Sequence, residues 1–171
     1  GKLKLDSRRL DFAEVFGRAL AGRRAAFGRA GDELAVEVPD AVLEGQGDPE
    51  RLGQALEHLL DNAIKFTPSG GSAGVRVRRL VSGHVEVVVA DTGPGVPGDT
   101  FDRLFDPFYQ VDGSPTRAHG GTGIGLAIVK GIVRGHGGDV RVVSPADERI
   151  GGVRLGGAAF TLLVPERAPR A

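Results

Sequence analysis

Residues 48–71, DPERLGQALEHLLDNAIKFTPSGG, decide how this chain is read. Asp48 can accept the free amide hydrogens of a helix start and Pro49 is tolerated in the first turn, so a helix opens there. It has to end before Pro68. Leu52, Ala55, Leu56, Leu59, Leu60, Ala63 and Ile64 recur at three- and four-residue steps and form one apolar stripe for a core. Gln54, His58, Asp61 and Lys65 fall opposite. Asn62, at about 100° per residue, lands on the border beside Ala55 and is expected to be half-buried. A half-buried amide must find partners, and its carbonyl oxygen is a hard ligand suited to magnesium. Lys65, one turn on, could reach a phosphate. Taken alone, the plainer reading is a solvated polar face with Asn62 hydrogen-bonded to backbone.

Outward from this helix the chain reads as mixed α/β. Asp11 can cap an earlier helix through about Gly28, and Glu33 to Val38 alternates like a strand. Gly74 to Val81 and His84 to Ala90 flank Ser82-Gly83 as a valine-rich hairpin. A further helix is predicted from near Gly123 to His136, stopping at Gly137-Gly138. Val140 to Ser144 and Ala158 to Val164 read as the last two strands. Pro97 to Gly121 is longer than an ordinary connection and has the position of a mobile lid. The loop from Ser144 to Gly157, with Arg149 and Arg154, has no assigned role: it could meet a partner, and the plainer reading is a solvated hairpin connection.

Three more stretches carry chemistry. Asp91-Thr92-Gly93-Pro94-Gly95 follows a strand, and alternation puts Asp91 on the apolar side with Val85, Val87 and Val89. A carboxylate there needs a donor such as the exocyclic amine of adenine, and Gly93 and Gly95 let backbone approach a flat ring. An exposed Asp turn is the alternative. The spacing of Gly93, Gly95 and Gly98 also spells a dinucleotide fingerprint, but Pro94 and Pro97 delete amide donors and no long helix opens there. Phe105-Asp106-Pro107-Phe108 reads equally as a hydrophobic hinge or as two core phenylalanines. In Gly120-Gly121-Thr122-Gly123-Ile124-Gly125-Leu126, glycines precede an apolar helix and offer free amides at a positive dipole end, where a triphosphate fits. No Gly-Lys-Ser/Thr follows, which rejects a P-loop.

The bulk properties are permissive. A chain of 171 residues suits one domain, and 22 basic against 22 acidic residues give no global field for nucleic acid or an anionic membrane. Neither is expected as a partner. Cysteine is absent, which excludes disulfides and thiolate zinc sites. No apolar run approaches the ~20 residues of a membrane span. Beginning at Gly1 without any methionine, the chain reads as a piece of a longer protein.

Together these residues resemble the catalytic and ATP-binding domain of a bacterial sensor histidine kinase, of the GHKL superfamily that includes DNA gyrase, mismatch-repair ATPases and a heat-shock chaperone. DPERLGQALEHLLDNAIKFTPSGG resembles the N box, VADTGPGV the G1 box, FDPFYQ the F box, HGGTGIGLAIVKGIVRGHGG the G2 box with its helix, and GGAAFTLLVP the closing strand. The resemblance implies a two-layer α/β sandwich of the Bergerat type, a mixed sheet covered on one face by about three helices, with a mobile ATP lid. It implies a linker over 1–10, the ATP-binding domain over 11–166 and a tail over 167–171.

It also implies roles. Asn62 would hold magnesium, Lys65 would contact phosphate and Asp91 would accept from the adenine amine. Gly93 and Gly95 would shape the adenine floor, and Gly121, Thr122, Gly123, Gly125 and Leu126 would meet the phosphates. Thr161 would support adenine through water beside Asp91, and Arg117 in the lid would touch phosphate. His58 stands where the first asparagine of the N box is expected, so that it and Lys65 are the candidates for a catalytic contribution. His58, His84, His119 and His136 all lack the acid that follows a phosphoacceptor histidine. The acceptor is therefore expected on an upstream dimerising helical domain of the same protein, with the receiver domain of a response regulator as a further partner, the isolated domain monomeric and cytoplasmic, and its parent free to be membrane-anchored. A gyrase-type ATPase clamp, or a nucleotide-binding regulatory module without transfer activity, are the alternatives.

Overall fold

The computed structural model describes residues 3–109 and 124–167. A five-stranded mixed sheet carries the fold, built from β2 (Glu33–Glu37), β4 (Ser72–Arg79), β5 (His84–Asp91), β6 (Asp139–Val143) and β9 (Ala159–Pro165) in the order β2-β4-β5-β9-β6. Only β2 and β4 run parallel; the other pairs are antiparallel. Two short hairpin-like pairs flank it: β1 (Arg8–Asp11) with β3 (Glu44–Gly47), and β7 (Glu148–Ile150) with β8 (Val153–Leu155).

Helices α1 (Phe12–Ala21), α3 (Pro49–Phe66) and α4 (Gly125–Gly135) cover one face, with α3 packed between the other two. The main core lies between these layers. The apolar stripe of α3 is buried as expected, Leu52, Ala55, Leu56, Leu59, Leu60 and Ala63 all facing Val85, Val87, Val89, Leu162 and Val164 of the sheet. Burial of such side chains is worth roughly 1.5–3 kcal/mol apiece, so the stripe alone dominates the helix's own propensity.

The start of α3 is built as its sequence suggests. Asp48 caps it by accepting from the amide of Arg51 at 3.1 Å, and Pro49 opens the first turn. The rest of this corner comes from far away in sequence. The amide of Asp6 donates to Asp48 Oδ2 at 2.9 Å, and the buried ring of His136, at the end of α4, accepts from the amide of Asp48 at 3.0 Å. The second ring nitrogen of His136 lies 2.8 Å from the carbonyl of Ile132. Burial pushes the Asp48 carboxyl up, but the amides of Asp6, Arg51 and Glu50, helped by His136, outweigh it and hold the group below the usual carboxylate range.

Three features correct the sequence reading. The helix expected from Asp11 to Gly28 is two helices, α1 ending at Gly22 and α2 (Arg24–Ala30) ending at Gly31 with φ 79°. Tertiary contacts favour the break, because Arg23 turns there to Asp61 at 2.8 Å on α3 while Phe27 reaches the core. Residues 8–10, expected in a linker, pair with β3 instead. The hairpin expected between Ser144 and Gly157 forms, but it is packed and not solvated: Ile150 and Leu155 are fully buried against Ala35, Val88, Ala90 and Ala159, forming a second small core on the sheet face away from the helices. Gly74 makes room for it, since an added Cβ would lie 2.6 Å from Leu155 Cδ1.

Candidate functional site

The site gathers where the end of β5, the latter half of α3 and the start of α4 meet. Asp91 closes β5 and is buried on the helix-facing side, in line with Val85, Val87 and Val89. Its Oδ1 accepts from the amides of Gly93 at 2.9 Å and Ala158 at 3.2 Å. Among the described residues, Oδ2 accepts nothing. Burial pushes the carboxyl above its ordinary range, and the two amides only partly offset this. Half of this carboxylate is thus satisfied by the fold and half is open.

Glycine is required around it. A Cβ at Gly157 would sit 2.5 Å from Asp91 Oδ1 and 2.6 Å from the Gly93 carbonyl, and one at Gly93 would lie 2.6 Å from the Phe66 carbonyl. Gly95 adopts φ 81°, open to glycine without strain. Behind this turn, Ser72 donates its amide to Thr92 Oγ1 at 2.9 Å, and Thr92 returns its own amide to the Ser72 carbonyl at 3.0 Å.

On α3, Asn62 is half-buried, as its border position predicts, and its amide bonds to none of the described residues. Lys65 is exposed at the same end of the helix. His58, expected on the solvated face, is half-buried instead, with Nε2 enclosed and unpartnered among the described residues. The cause is α4, which packs along α3 and brings Gly125 against the ring, so that a Cβ there would be 3.4 Å from Nδ1. Gly125 and Leu126 form the first turn of α4, whose free amides give that end its positive character. Gly121, Thr122 and Gly123 lie outside the described residues, as do Arg117 and His119.

Thr161 does not join this site. It pairs with Val88 on β5, so it shares the sheet face of Val88 and Ala159, opposite that of Asp91. Register places Gly157 and Ala158 next to Asp91 instead, and the Gly156-Gly157 doublet was the available signal for that close approach. In the F-box stretch the two phenylalanines part ways. Phe105 packs edge-on against Phe160 at 6.3 Å, while Phe108 is 77% exposed at φ 65°.

A mixed sheet backed by α3 and α4, with a buried acid at the end of β5 and a half-buried asparagine in the latter half of α3, is the frame of a nucleotide-binding ATPase fold. The chain belongs to the histidine kinase-, DNA gyrase B- and HSP90-like ATPase family, whose model matches residues 47–168. Within it the chain is an ATP-binding catalytic domain of the sensor histidine kinase type. It is similar to the signal transduction histidine-protein kinase/phosphatase MprB of Mycolicibacterium smegmatis, 38% identical over 161 residues, which are 94% of this chain and 31% of that protein. The solved structure of a mycobacterial sensor histidine kinase MprB superposes with a TM-score of 0.76 at 35% identity, covering 95% of this chain and 99% of that one. Full-length ShkA in complex with AMPPNP gives 0.74 at 28% identity, over all of this chain and 33% of that one. ThkA in complex with the response regulator TrrA shares the fold, with a TM-score of 0.74 at 21% identity over 95% of this chain and 42% of that one. The chain thus spans less than a third of the curated MprB sequence. No helix among the described residues is long and apolar enough to cross a membrane.

Proposed function

We propose that this domain binds ATP and presents its γ-phosphoryl group to a histidine on a separate helical domain of the same protein. The observation that carries the proposal is the Asp91 carboxylate, buried, half-satisfied by Gly93 and Ala158, and open at Oδ2. An amine donor such as that of adenine completes it, and a charge-assisted hydrogen bond in so dry a site gives strong selection. Gly93 and Gly95 let the turn pass close to the Phe66 carbonyl and to Ser144 Oγ, which fixes the backbone beside the Asp91 carboxylate.

From this anchor the triphosphate extends toward the start of α4. Gly125 and Leu126, with Gly121, Thr122 and Gly123 just before them, supply amides and the positive dipole end, and Lys65 adds a mobile cation. The ring of His58, with its Nδ1 edge against Gly125 and its Nε2 unpartnered among the described residues, supports a phosphate contact there in place of the usual asparagine. Asn62 fits a magnesium ion, because its amide oxygen is half-buried, hard and unclaimed among the described residues. Bound there, the ion would neutralise phosphate charge. The domain's part in transfer is positioning and electrostatics. The acceptor imidazole attacks the γ-phosphorus in line as the bond to the β-phosphate oxygen breaks, and ADP leaves. The receiver domain of a response regulator is the onward acceptor, in a cytoplasmic setting; ThkA is solved in complex with a response regulator protein.

The test supplies labelled ATP and magnesium to this chain together with the helical domain of its parent. An acid-labile phosphate on that domain, absent with Asp91→Asn, is expected. ATP hydrolysis with nucleotide-driven dimers and no label would favour a gyrase-type clamp and overturn the transfer reading.

A further inference from the structure

Ser144 stands outside every motif, yet its hydroxyl joins the two segments that frame Asp91. Its Oγ accepts from the amide of Val96 at 2.8 Å and donates to the carbonyl of Gly157 at 3.2 Å. The Gly157 carbonyl also takes the amide of Ala146 at 2.9 Å, while its own amide donates to the Asp91 carbonyl at 2.8 Å. The next amide, that of Ala158, holds Asp91 Oδ1. A single hydroxyl therefore links the turn after β5 to the peptide that orients the Asp91 side chain.

The site around this hydroxyl is closely built. A Cβ at Gly95 would fall 2.5 Å from Ser144 Oγ, so the left-handed glycine turn and the serine occupy one tightly shared space. The segment leaving Ser144 is anchored by Ile150 and Leu155 in the second core, and returns at Gly157. Neither end of the link can drift without moving the other. The Ser144–Gly157 loop, unexplained by sequence, is thereby the outer brace of the Asp91 turn.

We infer that Ser144 is a positioning residue for base recognition: it holds the Gly93–Val96 turn and Gly157 so that the open oxygen of Asp91 faces a 6-amino purine. The inference rests on the reading of Asp91 as the adenine acceptor. It predicts a defect confined to discrimination between bases. Guanine offers a carbonyl where adenine offers an amine, so a carboxylate aimed at that position attracts ADP and repels GDP, and spoiling the aim weakens the first without weakening the second.

The test is calorimetric titration of the 171-residue chain with ADP and with GDP, both with magnesium, for wild type, Ser144→Ala and Asp91→Asn. One misdirected hydrogen bond is worth about tenfold in affinity. Ser144→Ala is therefore expected to weaken ADP by about tenfold without weakening GDP, so that the preference for ADP over GDP falls. Ser144→Cys, similar in size but a poor hydrogen-bonding group, should do the same and serves where the alanine variant does not fold. Equal losses for both nucleotides, or an unchanged ratio in the folded variant, would overturn the inference while leaving Asp91's role intact. A ratio untouched by Asp91→Asn would overturn the adenine reading, and the inference with it.

Discussion

Asp48 and Asp91 are buried to the same extent, each 5% exposed, and the chain treats them in opposite ways. At the start of α3, both oxygens of Asp48 meet amides, from Asp6 and Arg51, and the carboxyl is held below its ordinary range. At the end of β5, Asp91 has both its amides on one oxygen, leaves the other open among the described residues, and is pushed above that range. Low exposure is the common factor; deeper desolvation and donors confined to one oxygen set Asp91 apart. A fold that supplies donors to both oxygens at one corner and, among the described residues, to one oxygen at the other has built a cap in the first place and, on the function proposed above, a receptor in the second.

Breaking the receptor should have the largest effect. Asp91→Asn would keep a carbonyl oxygen for the amides of Gly93 and Ala158 but turn an NH₂ toward the adenine amine, donor against donor. Loss of a charge-assisted hydrogen bond alone costs about 1.5–3 kcal/mol, and the mismatch adds to it, so ADP affinity should fall by about 100-fold or more in calorimetric titration. The same variant should raise the melting temperature of the nucleotide-free chain, because a desolvated charge is gone. Stability and binding moving in opposite directions is the expected signature of a site left unfinished by the fold.

Breaking the cap should do the reverse. Asp48→Ala removes the partner of two amides and should lower stability by about 1–2 kcal/mol in denaturant unfolding, with ADP affinity unchanged. A matching loss of nucleotide binding would mean that the two corners are coupled through α3, and the contrast between them would fail.

A smaller effect sharpens the contrast through pH. Folded Asp91 keeps its proton to higher pH than the unfolded chain does, so the nucleotide-free chain should lose stability as pH rises from the ordinary carboxylate range through Asp91's raised value. Folded Asp48 does the opposite. Its contribution is present above the ordinary range and is lost as pH falls through its lowered value. Thermal unfolding across pH should show Asp91→Asn flattening the upper part of the profile and Asp48→Asn the lower.

Much of the site could be read from the chain, because its parts are local. Asp48, Pro49 and the stripe from Leu52 to Ile64 specify α3 through capping chemistry and the 3.6-residue period, and that period also places Asn62 on the border. The two-residue period of β5 places Asp91 inward. What escaped the reading depends on partners distant in sequence. His58 is enclosed because α4 packs on α3, which no feature of residues 49–66 announces. Thr161 faces away from Asp91 because of a strand register set across more than 70 intervening residues. One residue's slip in an imagined pairing moves a side chain to the other face.

The amino-acid order by itself determined the helices and strands that bear the chemistry, the inward acid and the family to which they belong, since each follows from short-range periodicity and backbone chemistry. Only the tertiary structure decided which groups stand next to that acid. Gly157, Ala158 and Ser144 reach it through the closing strand and the packed 148–155 hairpin, and such adjacency is fixed by burial of the whole sheet on both faces, not by any one segment.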